Sequence, residues 1–329
     1  MKFAISKKTF MSGEKILITG AFGQIGTVLT QELIKIYGYD NVLATDYIED
    51  KLHNSLYEQL DILDLDRFEY IIDKYKITQI YHMAALLSAK GESNPQLTWD
   101  VNLNAYLAIL ELARKKEIKR IFFPSSIAVF GATTPQYETP QDCPLVPTTV
   151  YGISKVAGEL WSNYYFEKYR LDVRSIRYPG IIGYQSLPGG GTTDYAVDIF
   201  HQAITKGQYE CFLAENTMLP MMYMEDAIRA TIELMMAPIE RIRIRYGYNL
   251  AEMSFTPAQI FEEIKKHIPG LTIEYNPDFR QAIADSWTKS IDDSRAKLDW
   301  GWKANYSLET MVVDMLVHLK EKYGDKSIY

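Results

Sequence analysis

The sequence predicts an α/β fold: a doubly wound parallel sheet carrying a smaller C-terminal substrate-binding lobe. Three observations predict it. Short apolar runs alternate with helical patterns through the first half, which is how a parallel sheet covered on both faces reads. A glycine-rich turn follows the first apolar run directly. The alternation then breaks down after Gly180. Residues 12–183 therefore form the sheet domain and 184–329 mainly the second lobe, with one strand returning to the sheet near 244–250.

The elements follow in order. Lys15–Gly20 (KILITG) reads as a buried strand and Gly26–Tyr37 as a helix. Asn41–Asp46 (NVLATD) is the second strand, and LDILD places Asp61 and Ile62 just after a third. Gln79–Ala85 and Ile118–Ser126 are further strands, separated by a helix over Ala105–Lys116. Tyr151–Tyr169 is helical, and Leu171–Gly180 completes the set. In the second lobe, Pro188-Gly189 is a turn signal, and the PGGGTT run exceeds what an ordinary turn needs.

Composition narrows the function. The 329 residues suffice for two lobes, and 47% hydrophobic with 23% charged residues is ordinary for a globular chain. A net charge of -7 without a Lys/Arg block argues against nucleic acid or an anionic membrane as partner. No apolar run is long enough to span a bilayer. Cys143 and Cys211 read as free thiols, and five scattered histidines give no metal-ligand spacing. The basic stretch MKFAISKKTF reads as a terminal tail, implying a cytoplasmic protein; as an organellar leader it would imply the mitochondrial matrix.

The first strand ends in GAFGQIG. Gly20 permits a tight turn, Gly23 lets a pyrophosphate approach the backbone, and Gly26 lets the helix pack on the strand. Gln24 and Ile25 complete this Rossmann-type turn. Asp46 ends the second strand twenty residues after Gly26 (46 − 26), where a carboxylate holds both ribose hydroxyls of NAD and repels the 2′-phosphate of NADP. Asp61 and Ile62 are placed against the adenine.

In VYGISK, Tyr151 and Lys155 stand at i,i+4 and share one helix face. A nearby ammonium favours the phenolate, so the pair reads as a base for an alcohol losing hydride. Ser126 ends the preceding strand, where its hydroxyl would bond the reacting oxygen.

GAFGQIG, SSIAVFG, YGISK and RYPG together resemble the extended short-chain dehydrogenase/reductase family, over the whole chain. The resemblance implies that Asn102 stabilises the active-site helix, within the cofactor-binding set. It implies that Tyr178, Pro179 and Ile181 line the nicotinamide, with Ala84 and Ala85 also at the cofactor. It further implies a homodimer through a four-helix bundle of segments near 95–115 and 151–169.

Between Ile181 and Ile228 there is one basic residue, Lys206, against six acids, a poor match for a nucleotide-sugar diphosphate. PGGGTTDYA suits a compact polar ligand carrying a carboxylate. LLSAKGE, PSSIAVFGATTP, PGGGTTDYAVDIF, LPMMYMEDA and DDSRAKLDWGWK resemble one subfamily, the short-chain type of L-threonine 3-dehydrogenase. That resemblance implies NAD-dependent oxidation of L-threonine to 2-amino-3-oxobutyrate, coupled to a 2-amino-3-oxobutyrate-CoA ligase or followed by decarboxylation. Ser88, Gly190 and Thr192 would hold the substrate beside Ser126 and Tyr151. Trp287 either covers the pocket or packs as a surface aromatic, and Thr288 stands where that subfamily often has proline. The alternatives are a nucleotide-sugar epimerase and a non-catalytic NAD-sensing protein. A zinc-dependent alcohol dehydrogenase is excluded by the missing ligands.

Overall fold

The computed structural model describes residues 13–49 and 54–324; the leader reading and His53 lie outside them. Strands β1 (Ile16–Thr19), β2 (Val42–Asp46), β3 (Leu56–Gln59), β4 (Gln79–His82), β5 (Arg120–Ser126) and β6 (Asp172–Tyr178) build one parallel sheet with a short strand at Tyr248–Asn249. The spatial order is Tyr248–Asn249, β6, β5, β4, β1, β2, β3. Both faces are buried, as alternate residues show. Ile16 and Ile18 pack with Leu29 and Leu33 of the helix Gln24–Tyr37. Leu17 and Ile80 pack with Phe68, Ile71 and Ile109 on the other face. Strands buried this way read as continuous apolar runs, which is why they were legible.

The returning strand is shorter than expected. Only Tyr248 and Asn249 pair with β6, at Ile176 and Arg177. Arg245 is instead drawn to Asp172, its Nη1 2.6 Å from the carboxylate. Asp172 also meets Arg120 and Arg174, each at 2.8 Å. Arg174 reaches on to the carbonyls of Leu234 and Ala237, both at 2.6 Å, where the helix Met224–Met236 ends. One buried carboxylate and the negative end of a helix dipole thus balance three guanidinium groups.

After β6 a single residue, Pro179, intervenes before the strand Gly180–Ile182, which belongs to a second sheet with Leu219–Tyr223 and Met253–Phe255. The helices Tyr195–Lys206, Pro257–Lys265 and Leu308–Tyr323 pack into this lobe through Phe200, Ile260, Met311 and Met315. The segment near 95–115 is helical throughout, as Pro95–Trp99, a π-helical turn Asp100–Asn104 and Ala105–Lys115, in line with the helix expected over Ala105–Lys116. Among the described residues, no helix is long and apolar enough to cross a membrane, and Cys143 and Cys211 are free.

Candidate active site

The carboxyl ends of β1, β4, β5 and β6 open onto one cavity, where ligands of such sheets bind. The glycine turn forms its floor. Gly20 has φ +63, and a Cβ there would lie 2.6 Å from the Ala84 nitrogen. A Cβ on Gly26 would lie 2.2 Å from the Gly20 carbonyl oxygen. The helix Gln24–Tyr37 starts at Gly23 without a side-chain cap, so its first amides face the cavity unclaimed by a side chain. Gly20, Gly23, Gln24, Ile25 and Gly26 all line the cavity, and this cradle fits a dinucleotide pyrophosphate. Asp46 Oδ2 accepts from the Phe22 amide at 3.0 Å, and Oδ1 from the Tyr47 amide at 2.8 Å. The carboxylate therefore steadies the turn from beneath.

Beyond the turn, the placements divide. Ala85, Tyr178, Pro179 and Ile181 line the cavity, and Gln24 Nε2 donates to the Ile181 carbonyl at 3.3 Å. Ala84 donates to Thr19 Oγ1 at 3.3 Å. Asp61 caps the Leu63 amide at 3.0 Å, beside buried Ile62, and neither lines the cavity. Asn102 is also outside it. Its amide brackets Leu86, accepting from the nitrogen at 2.8 Å and donating to the oxygen at 2.9 Å. The π-helical turn aims Asn102 at that loop, so its partner is the Leu86 backbone rather than the active-site helix.

Ser126, Tyr151 and Lys155 meet on one wall. The strand register sets Ser126 beside Tyr178. The helix Val150–Tyr169 begins at Thr149, whose hydroxyl accepts from the Gly152 amide at 3.0 Å. A Cβ on Gly152 would sit 2.2 Å from the Ala128 carbonyl oxygen, so glycine lets this helix press against the end of β5. Ser126 Oγ accepts from the Ala128 amide at 3.2 Å, leaving its proton for a second bond. Lys155 Nζ lies 5.4 Å from the Tyr151 ring centre and 4.8 Å from that of Phe123.

The titration expected of this pair is corrected. Burial pushes the Tyr151 phenol up to about 12, with the Ser126 hydrogen bond opposing it. Burial also pulls Lys155 down to about 7, against the pull of Glu159. Desolvation disfavours both charged forms and is the larger cause in each.

The opposite wall carries Ser88, Thr192, Thr193, Asp194 and Trp287. Ser88 Oγ and Thr192 Oγ1 stand 3.3 Å apart, closing the chamber across 104 residues of sequence. Of the glycine run, only Gly191 lines the cavity. The amides of Gly190 and Gly191 donate to Asp194 Oδ2 at 2.7 and 2.8 Å. Gly190, at φ +100, packs under the Lys90 side chain and does not line the cavity. Burial holds the Asp194 carboxyl above its usual range. Sequence reasoning counted this aspartate only as charge; its place just after the glycines, at the start of the helix Tyr195–Lys206, was the signal available. Trp287 is buried in the cavity wall rather than packed on the surface. Thr288 is anchored by its hydroxyl, which bonds the carbonyls of Gln136 and Ser290 at 3.1 and 2.9 Å.

A dinucleotide cradle that faces a serine, a tyrosine and a lysine at one end of a closed chamber defines the class, a nicotinamide-dependent oxidoreductase of the short-chain type. The chain belongs to the NAD dependent epimerase/dehydratase family, whose model matches residues 16–250. An uncharacterized epimerase/dehydratase of Staphylococcus haemolyticus is 48% identical over 318 residues, 95% of this chain and all of its own length. An L-threonine dehydrogenase from Cupriavidus necator, in its holo form, is similar with a TM-score of 0.92 at 54% identity, covering 93% of this chain and 100% of that one. The L-threonine dehydrogenase of Clostridium difficile gives 0.91 at 45% identity, covering 94% and 98%.

Proposed function

We propose that this chain oxidises the β-hydroxyl of L-threonine with NAD, giving 2-amino-3-oxobutyrate. The observation that carries the reading is the chamber itself. Lys155 is the only cation among its lining residues, so beyond the glycine turn it offers no partner for a second, sugar-linked diphosphate; Ser88, Thr192 and Asp194 suit a small zwitterion. The similar L-threonine dehydrogenases support the same substrate.

NAD bound along the glycine turn supplies the hydride acceptor and, through its positive nicotinamide, a charge that favours the phenolate. Gly20, Gly23 and Gly26 hold the pyrophosphate, and Asp46 selects NAD by its charge. Tyr151 takes the hydroxyl proton as the carbon loses hydride and the carbon–oxygen bond becomes a carbonyl. Ser126 bonds the same oxygen, and Lys155 stabilises the phenolate. Asp194 faces the substrate ammonium, and the hydroxyls of Ser88 and Thr192 take the carboxylate. We also propose a homodimer through Ile153, Leu160, Trp161 and Tyr164, which are exposed on the active-site helix. A panel of L-threonine, L-serine, 3-hydroxybutyrate and UDP-glucose with NAD, read as NADH absorbance, tests the activity. Turnover of UDP-glucose without turnover of threonine overturns it in favour of an epimerase.

A further inference from the structure

Glu159 is a buried carboxylate that the mechanism above does not use. It lies one turn beyond Lys155 on the active-site helix and is 1% exposed. Both oxygens are engaged. Oε1 accepts from Ser125 Oγ at 2.6 Å and from Arg177 Nε at 2.9 Å; Oε2 accepts from Arg177 Nη2 at 2.8 Å. Ser125 precedes Ser126 on β5, and Arg177 precedes Tyr178 on β6. One carboxylate therefore ties together the three elements that carry the reacting groups. Arg177 Nη1 extends the junction to the Gln141 carbonyl at 3.0 Å and Asn249 Oδ1 at 3.1 Å. Gly247 leaves room for it, since a Cβ there would sit 2.6 Å from Glu159 Oε1.

An ion pair this buried is weak evidence for stability, because desolvation offsets most of its attraction. Its geometry has a more specific content. We propose that Glu159 is a positioning residue: through Ser125, Arg177 and its own helix turn it sets where Ser126, Tyr178 and Lys155 stand relative to Tyr151. The inference rests on the reading of Tyr151 and Lys155 given above.

The electrostatics agree. The groups around Lys155 are Tyr151 and Glu159 on its own helix, His82 on β4, the Tyr106 phenol on the neighbouring helix, Arg177 on β6 behind Glu159, and Asp194 on the far cavity wall. His82 is held neutral by burial, its pKa near 3, with Lys155 adding to the shift. Tyr106 is kept protonated by burial. Glu159 is thus the anion that raises the lysine's pKa from behind.

The test uses the full-length protein with NAD and L-threonine. Glu159→Gln keeps the shape and removes the charge; it lowers kcat roughly tenfold or more and moves the alkaline limb of the kcat pH profile, where Lys155 loses its proton, toward acid by about one unit. Because that variant leaves Arg177 unpaired, two further variants keep the test decisive. Ser125→Ala cuts one link without exposing a charge and lowers kcat with little change in Tm. Glu159→Gln combined with Arg177→Met removes both charges; it recovers Tm but not the wild-type pH profile. Recovery of both, or a wild-type profile in Glu159→Gln, overturns the proposal. If the wild-type chain does not oxidise threonine, the substrate reading fails separately. The pH dependence of NAD binding, read by calorimetry, then decides: unchanged in Glu159→Gln, it overturns the positioning role.

Discussion

Asp194→Asn is the sharpest probe of the chamber. The wild-type carboxylate accepts two backbone amides at 2.7 and 2.8 Å, each a charge-assisted bond. Such bonds are worth about 1.5–3 kcal/mol against about 0.5–1.5 kcal/mol for neutral ones, so losing the charge costs about 1 kcal/mol per bond. Two bonds make about 2 kcal/mol, or a roughly thirtyfold loss in kcat/KM for threonine. The lost attraction for the substrate ammonium adds to this. NAD affinity changes little, since Asp194 lies outside the glycine turn that forms the dinucleotide cradle. The assay is steady-state NADH production across threonine concentrations, with NAD binding by calorimetry alongside. The pH dependence adds a check of sign. Burial raises the pKa of Asp194, so protonation on acidification brings the wild-type enzyme toward the variant. An unchanged kcat/KM, or a parallel loss of NAD affinity, refutes the reasoning.

Tyr151→Phe keeps the ring and removes the proton acceptor, so kcat falls by roughly 10²–10⁴-fold while NAD binding persists; near-normal turnover excludes the phenol as base. Because burial holds that phenol up at about 12, the wild-type rate of the chemical step rises with pH through neutrality, and single-turnover measurements read it. Gly26→Ala places a Cβ 2.2 Å from the Gly20 carbonyl oxygen, and overpacking of about 1–3 kcal/mol weakens NAD binding about five- to a hundredfold, measured by calorimetry. Glu252 is raised to about 9 by burial and by Asp226, so it stabilises the fold below pH 4.5 and loses that contribution as pH rises through 9. Glu252→Gln therefore raises Tm at pH 8, by about 2–4 °C for each kcal/mol relieved, with little effect near pH 5; equal shifts at both show that Glu252 is not the cause.

The sheet was legible because its inner strands are buried on both faces; the edge strand β3 is half-exposed and carries no such apolar run. The glycine turn and the Tyr151–Lys155 pair were legible because their spacing is local, and Ser126 because it ends a strand, which places it at the same edge of the sheet. What was missed is non-local. Nothing in the sequence pairs Ser88 with Thr192, or Glu159 with Arg177 eighteen residues on. Asp194 was read as part of a charge count, because a carboxylate that caps its own glycines and one that faces a ligand look alike in sequence. The sequence reading took account of the lysine beside Tyr151 but not of burial, which raises the phenol's pKa. Asn102 was carried over by resemblance, whereas its true partner, the Leu86 backbone, depends on a π-helical turn that side-chain periodicity does not announce.

The single proline between β6 and the strand Gly180–Ile182 has a mechanical meaning. The chain passes from the cofactor sheet to the substrate sheet without a linker, and Gly180 is clasped so tightly that a Cβ would lie 2.4 Å from Met221 Sδ. A hinge needs residues free to absorb large changes in φ and ψ, and none is free here. That crossing is therefore no hinge: β6 and the strand Gly180–Ile182 turn together, and any rotation of one sheet against the other has to be taken up elsewhere in the chain.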